Sequence, residues 1–398
     1  MGATGIVAEY NPFHSGHGYQ IGEIRKIRGE DETVIAVMSG DFVQRGDVAV
    51  FSKFARAQAA CASGADIVIE LPLPYCLSSA EGFAEAAVFL LNSMGVDCIS
   101  FGSESGNTAG ITETASALLR RDVNDRIKSY LKSNANCSYA SAREAVLKEQ
   151  SVAASELIRN PNDILAVEYV KAILKNGYGV SILPVIRQAA AHDSFGTGEL
   201  RSGLQLRDML KNGEDISPFI PADAFKLYSE EASKGKGPVF TDNIGIQMIS
   251  RLRMFSESYY KSLPGCEDGL GSRVFGAVRE ASGLRAVFES AKTKRYAEAN
   301  IRRTVFAAAL GVSREMYGKR PCYIRLLAAN SRGMKYISAN RQKFTLPVIS
   351  KPAKIKELGS EAEALFALGS SAHDFYVTGY GTIAECGEDW RISPFILP

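Results

Sequence analysis

Five short apolar runs, rich in β-branched residues, recur in the first half of the chain. Each adjoins a stretch whose apolar positions repeat every three to four residues. GIVAEY (5–10) precedes a helical pattern from about His17 to Arg28, and TVIAVMSG (33–40) precedes SKFARAQAACASG. DIVIELPLP (66–74) leads to SAEGFAEAAVFLLNSMG, and DCISFGSE (97–104) leads to a helix from about Thr108. GVSILPVIR (179–187) follows a helix containing DILAVEYVKAILKNG. Short continuous apolar strands alternating with helices predict a parallel sheet covered on both faces. Right-handed crossovers make it a doubly wound, Rossmann-like α/β sheet, whose ligand belongs at the carboxyl ends of the strands near the switch point.

The alternation stops after about Asp193. AAAHDSFGTGELRSG (189–203) is polar and glycine-bearing, as a loop would be. The later half reads mainly as helices: NIRRTVFAAALG, with Gly311 as its C-cap, then PCYIRLLA and KPAKIKELGSEAEALFALGSSAHDF. The expected organisation is an α/β domain over residues 1–205 and a mainly helical domain over residues 206–398.

Composition sets the surroundings. The chain has 398 residues, 46% hydrophobic and 23% charged, ample for a large core and two domains. No apolar stretch approaches the roughly 20 residues that span a bilayer, and no signal peptide is visible. Seven scattered cysteines without a C-x-x-C pair argue against a disulfide framework and a zinc knuckle. A reduced, cytoplasmic protein is expected, with no membrane partner. Net charge is +2, but residues 285–343 hold 14 Lys/Arg against three acids, a local +11 that leaves −9 for the rest. Such polarisation predicts a basic surface on an otherwise acidic protein.

Candidate chemistry lies just after the first run. NPFHSGHGYQI holds two of the four histidines, His14 and His17, where the first strand turns into its helix. Asn11 and Pro12 suit the turn, and Ser15 is the expected N-cap. Gly16, lacking a Cβ, lets a ligand approach the backbone. A helix N-terminus at a strand's carboxyl end is an anion site. Imidazoles placed there donate to phosphate oxygens and stabilise charge developing when an α-phosphate is attacked. The H-E-x-x-H pattern of zinc enzymes is absent, as are the G-x-x-x-x-G-K-[ST] and strand-linked G-x-G-x-x-G loops. No resident metal is expected.

HSGH after strand one resembles the H-x-G-H signature of the nucleotidyltransferase superfamily. AEYNPFHSGH, VMSGDFVQRGDVAVFSKFARAQAACASGADIVIELP (37–72) and FGSE (101–104) together resemble the bacterial tRNA(Met) cytidine acetate ligase family. Fainter echoes run through NPNDILAVEYVKA, IRRTVFAAALG and CYIRLLAANSRGMKYI. The resemblance implies that residues 1–205 form an ATP-binding catalytic domain. Acetate and ATP would give acetyl-adenylate, and the acetyl group would pass to N4 of the wobble cytidine (position 34) of elongator tRNA(Met). It implies an ATP-binding loop of Val7, Ala8, Glu9, Tyr10, Asn11, Pro12, Phe13, His14, Ser15, Gly16, His17, Gly18, Tyr19 and Gln20. His14 and His17 would act at the phosphates, with Gly102, Asn162 and Arg187 as further ATP contacts.

Lys53 is a candidate for neutralising pyrophosphate, and Arg45 for holding a phosphate through its planar fork. Mg²⁺ would travel with ATP, since no carboxylate cage is signalled. The basic segment would track tRNA phosphates, with Arg295, Arg302 and Arg303 as candidate contacts. The chain departs from the usual family pattern at Asp41, where asparagine is common, at Ala49–Phe51 and at Phe54. Two other readings compete. A small-molecule nucleotidyltransferase acting on a phosphate ester or mononucleotide would share the histidines without needing the basic segment. A non-catalytic RNA-binding protein would not need the histidines.

Overall fold

A computed structural model of the protein describes residues 2–134, 137–149, 152–187 and 200–398. Its main sheet uses β1 (Ala3–Ala8), β2 (Thr33–Ser39), β5 (Ile67–Leu71), β6 (Cys98–Ser103), β7 (Ser181–Ile186), β8 (Ile324–Asn330), β9 (Val348–Ile349) and β10 (Phe395–Leu397). A short hairpin of β3 (Phe42–Val43) and β4 (Asp47–Val48) stands apart. The strand order is β10-β8-β5-β2-β1-β6-β7, with β9 on the far side of β8. Every pairing is parallel except β5 with β8. The chain runs outward from β1 through β2 to β5, then returns to lay β6 on β1's other edge. The switch point therefore lies between β1 and β6, as a doubly wound sheet requires.

β2 shows why the order is stable. All seven of its residues are buried. Ile35 and Val37 face a core shared with Ile67, Ile69 and helix α3 (Ala80–Ser93), while Val34, Ala36 and Met38 face helices α1 (Ser15–Arg28) and α2 (Lys53–Ala62). The period-2 alternation thus feeds two cores, which is why the run reads as continuously apolar.

The five predicted strands of the first half appear within two residues of their expected starts, and their helices follow. The later half differs from expectation. PCYIRLLA is not helical: Ile324–Asn330 is strand β8, antiparallel to β5. Leucine and alanine favour a helix, but six of its seven residues are buried in the sheet, and tertiary packing overrides propensity. Residues 206–398 are still mostly helical, yet they return to complete the sheet begun by residues 1–205. Of the predicted loop 189–203, residues 189–199 lie outside the described residues.

Arg56, on α2, is buried, and its hydrogen bonds among the described residues go to main-chain carbonyls. Its guanidinium donates to the carbonyls of Phe51 (2.8 Å), Glu9 (2.6 Å), Ser39 (3.1 Å) and Gly40. It gathers the ends of β1 and β2 into one place. Removing it leaves four buried acceptors unpaired, so Arg56→Met should lower unfolding free energy by about 3 kcal/mol or more. Urea denaturation checks this, and a loss below about 1 kcal/mol would contradict it.

Candidate active site

The β1–α1 connection holds the histidine pair in a defined pose. His14, rather than Ser15, is the N-cap. Its Nδ1 accepts from Gly16 N (3.1 Å), while its own N donates to His17 Nδ1 (3.2 Å). Ser15 is occupied instead with Phe219 O (2.9 Å). Because both Nδ1 atoms accept from the backbone, each neutral ring carries its proton on Nε2. The rings stack at 3.8 Å, and Tyr10 and Phe13 pack against His17 at 4.8 and 5.4 Å. Tyr10 adopts a left-handed backbone (φ 46°), a strained state for an aromatic residue that packing must hold.

Burial, reinforced by the nearby Arg187 and Arg207 charges, pushes His14 down to about 3. Burial, then His14 and Arg187, hold His17 well below its ordinary value. At neutral pH the pair is thus two uncharged N–H donors at the amino end of α1, beside arginines. A polyphosphate would supply the missing negative charge.

Three residues from distant segments converge at the adjacent strand ends. Gly102 of β6 lies under Arg187, so a Cβ there would sit 3.3 Å from Arg187 Cγ. Arg187, just past β7, donates to Asn162 Oδ1 (3.0 Å). Asn162 is not a helix cap: the N-cap of helix Pro161–Asn176 is Asn160, and the Asn162 side chain bridges Arg187 and Glu104. Glu104 also accepts from Asp163 N (3.1 Å), and Asp163 receives Ser105 N (3.2 Å). The electrostatic effect of Arg187 on both histidines joins this cluster to the β1–α1 loop. Arg187 and the Asn162 amide thus lie at the strand ends beside the switch point, where a doubly wound sheet places its ligand.

A family model described as HIGH Nucleotidyl Transferase matches residues 1–387. The tRNA(Met) cytidine acetate ligase of Thermoanaerobacter sp. strain X514 is 34% identical, with both chains covered in full. That of Thermotoga maritima is 32% identical, covering 98% of this chain and 99% of its own. The chain belongs to the tRNA(Met) cytidine acetate ligase family. A crystal structure of Thermotoga maritima TmcAL bound with alpha-thio ATP superposes over the whole of both chains, with a TM-score of 0.91 and 30% identity.

Several expectations are relocated. Lys53 is the candidate for neutralising pyrophosphate. The structure instead buries its ammonium between Glu70 and Asp389, each at 2.8 Å, and Arg325 pairs with the same two acids. With two carboxylates already on it, Lys53 is a structural cation. Arg302 and Arg303 were read as tRNA contacts. Both are half-buried, with Arg302 on Gly46 O (2.8 Å) and Asp47 (3.1 Å) and Arg303 on Gln44 O (3.4 Å). The β3–β4 hairpin engages both. Arg295 is exposed, 3.6 Å from Asp268.

Sequence reasoning missed Arg207, Tyr228 and His373. Arg207 donates to Asn11 O (2.9 Å) and Tyr228 accepts from Phe13 N (3.0 Å), so the family's nucleotide loop is steadied by residues beyond 206. No local motif marks either residue. His373 explains two departures from the family pattern. Asp41 accepts from Lys53 N (2.7 Å) and pairs with His373 Nδ1 (2.8 Å), while Phe54 meets the His373 ring edge-on at 5.3 Å. Glu388 takes the other ring nitrogen at 2.9 Å.

Burial opposes charge on His373, but Asp41 and Glu388 outweigh it and push it up to about 9. A raised folded value makes the stabilisation complete below the ordinary histidine value near 6.5; it is lost as pH rises through about 9. The linkage amounts to about 3 kcal/mol. The stability lost in His373→Gln should therefore be largest at about pH 6 and shrink toward about pH 10. Denaturation of both proteins across that range checks this, and a pH-independent difference would contradict it.

Proposed function

We propose that this protein carries out the reaction for which its relatives are named, joining acetate to a cytidine of tRNA(Met) at the expense of ATP. The observation that carries the reading is the convergence of His14 and His17 with Gly102, Asn162 and Arg187 at the switch point of the sheet.

In the first step an acetate oxygen attacks the α-phosphorus. The bond to the bridging oxygen of pyrophosphate breaks, and its electron pair leaves with pyrophosphate. The uncharged histidines donate Nε2–H bonds to oxygens that gain charge in the transition state, and Arg187 supplies positive charge beside them. In the second step the N4 amine of the wobble cytidine attacks the acetyl carbonyl, AMP leaves and the amine gives up a proton. Mg²⁺ enters as the counter-ion of ATP. Among the described residues no three His, Cys, Asp or Glu side chains converge to hold a metal. No helix among them is long and apolar enough to cross a membrane, and all seven cysteines are free, which supports a cytoplasmic site of action.

The tRNA surface is best sought among the exposed basic side chains of residues 285–343. Arg295, Arg285, Lys292, Lys319 and Arg320 have side chains 44–90% exposed. Residues 1–205 and 206–398 keep their proposed emphases, adenylation and RNA binding, although both contribute to the nucleotide loop.

Acetate-dependent ATP–pyrophosphate exchange tests the reading. His14→Ala and His17→Ala should each lower it by roughly 10²–10³ without unfolding the protein. Near wild-type exchange in the folded double variant would refute the assignment, and preference for a phosphate ester would favour a small-molecule nucleotidyltransferase. Arg295→Ala should reduce the log–log salt slope of tRNA binding by about one unit. An unchanged slope would remove Arg295 from the RNA surface.

A further inference from the structure

Helix Glu298–Leu310 lies in the most basic part of the sequence, yet its two adjacent arginines turn to the β3–β4 hairpin. Arg302 stacks over Phe288 at 4.6 Å and directs its guanidinium to Gly46 O and Asp47. Arg303 reaches Gln44 O. The backbones meet as closely as the side chains do. Gly46 has φ 73°, and a Cβ there would lie 2.6 Å from Arg302 C and Arg303 N. Behind the contact, Phe42 packs on Phe306 at 5.8 Å. The β3–β4 hairpin is thereby clamped from one side.

Its other side faces the nucleotide loop. Gln44 N donates to Glu9 Oε1 (2.9 Å), and the Gln44 amide donates to Ser78 O (3.2 Å). Arg45 is the one exposed residue of the hairpin, and its charge acts on Glu9 together with those of Arg207 and Arg56. Arg56 is committed to four carbonyls and Arg207 to Asn11 O. Of the three, Arg45 stands at the solvent-facing tip of the hairpin.

We propose that Arg302 and Arg303 are positioning residues for adenylate formation, holding the hairpin so that Gln44 fixes Glu9 and Arg45 meets the phosphates of ATP. The inference rests on the proposed acetate–ATP chemistry. As the Pα–O bond breaks, negative charge accumulates on pyrophosphate, and a planar guanidinium held nearby stabilises it. A hairpin held only by its own two-residue strands would not keep such a group in register. The clamp from the 298–310 helix supplies that rigidity. A helix in the RNA-facing part of the sequence would thus serve the first chemical step.

The test uses the full chain in acetate-dependent exchange, with tRNA binding measured separately. Arg303→Ala and Gly46→Ala, the latter disturbing the contact without altering either arginine, should lower exchange kcat by about tenfold or more. KM for ATP should change by less than about threefold. Dissociation constants for tRNA should stay within about twofold. Because Arg303 acts through Arg45, adding Arg45→Ala to Arg303→Ala should cause little further loss, whereas independent roles would multiply. Arg303→Lys retains a donor, should recover part of the rate, and serves the same cycle if the alanine variant fails to fold. Wild-type exchange in folded Arg303→Ala, or multiplicative losses in the cycle, would overturn the inference. Absence of exchange in the wild-type protein would overturn the functional reading itself, and the inference with it.

Discussion

Everything at the site depends on four carbonyl oxygens finding one guanidinium. Strands β1 and β2 run parallel, so their last carbonyls emerge side by side with no further strand to receive them. Arg56 receives those of Glu9, Ser39 and Gly40 and adds that of Phe51. It has the donors to do so in a plane, and its hydrogen bonds go to carbonyl oxygens while its charge also acts on Glu9 and Asp41. Two loops that would otherwise diverge are held together, one bearing the histidines and the other the hairpin.

On that foundation the site is assembled from both halves of the chain. The histidines come from the first connection, Gly102 and Arg187 from strand ends on the other side of the switch point, and Asn162 from a helix start. Arg207, Tyr228 and the 298–310 helix steady the loops from behind. The result is electrostatically one-sided. Uncharged imidazoles lie among arginines, and Glu9, Glu104 and Asp163 temper the excess. Burial raises the Glu9 carboxyl, with Gln44 N and three arginines opposing it.

Beneath the second loop lies a network in which Lys53, Arg325 and His373 balance Glu70, Asp389, Asp41 and Glu388. Buried ion pairs of this kind add less stability than their number implies, but removing one member strands its partner. Asp41 illustrates the dependence. A buried carboxylate needs a cation, and His373, 332 residues away, provides it.

Short apolar runs and helical periodicity were enough to determine the five-strand core and its switch point, because local burial on both faces leaves a local pattern. The histidine pair was equally legible, since strand, turn and helix start are contiguous. Gly102, Asn162 and Arg187 could be named through family resemblance, but only the fold brings them into contact. The roles of Lys53, Arg302 and Arg303 were decided elsewhere. A cation's partners are chosen by what packs against it, and here the acids and main-chain carbonyls that hold them lie from 17 to 336 residues away. The same holds for β8, whose helix-favouring residues become a strand because an open edge of β5 supplies hydrogen bonds and burial that an isolated helix would lack.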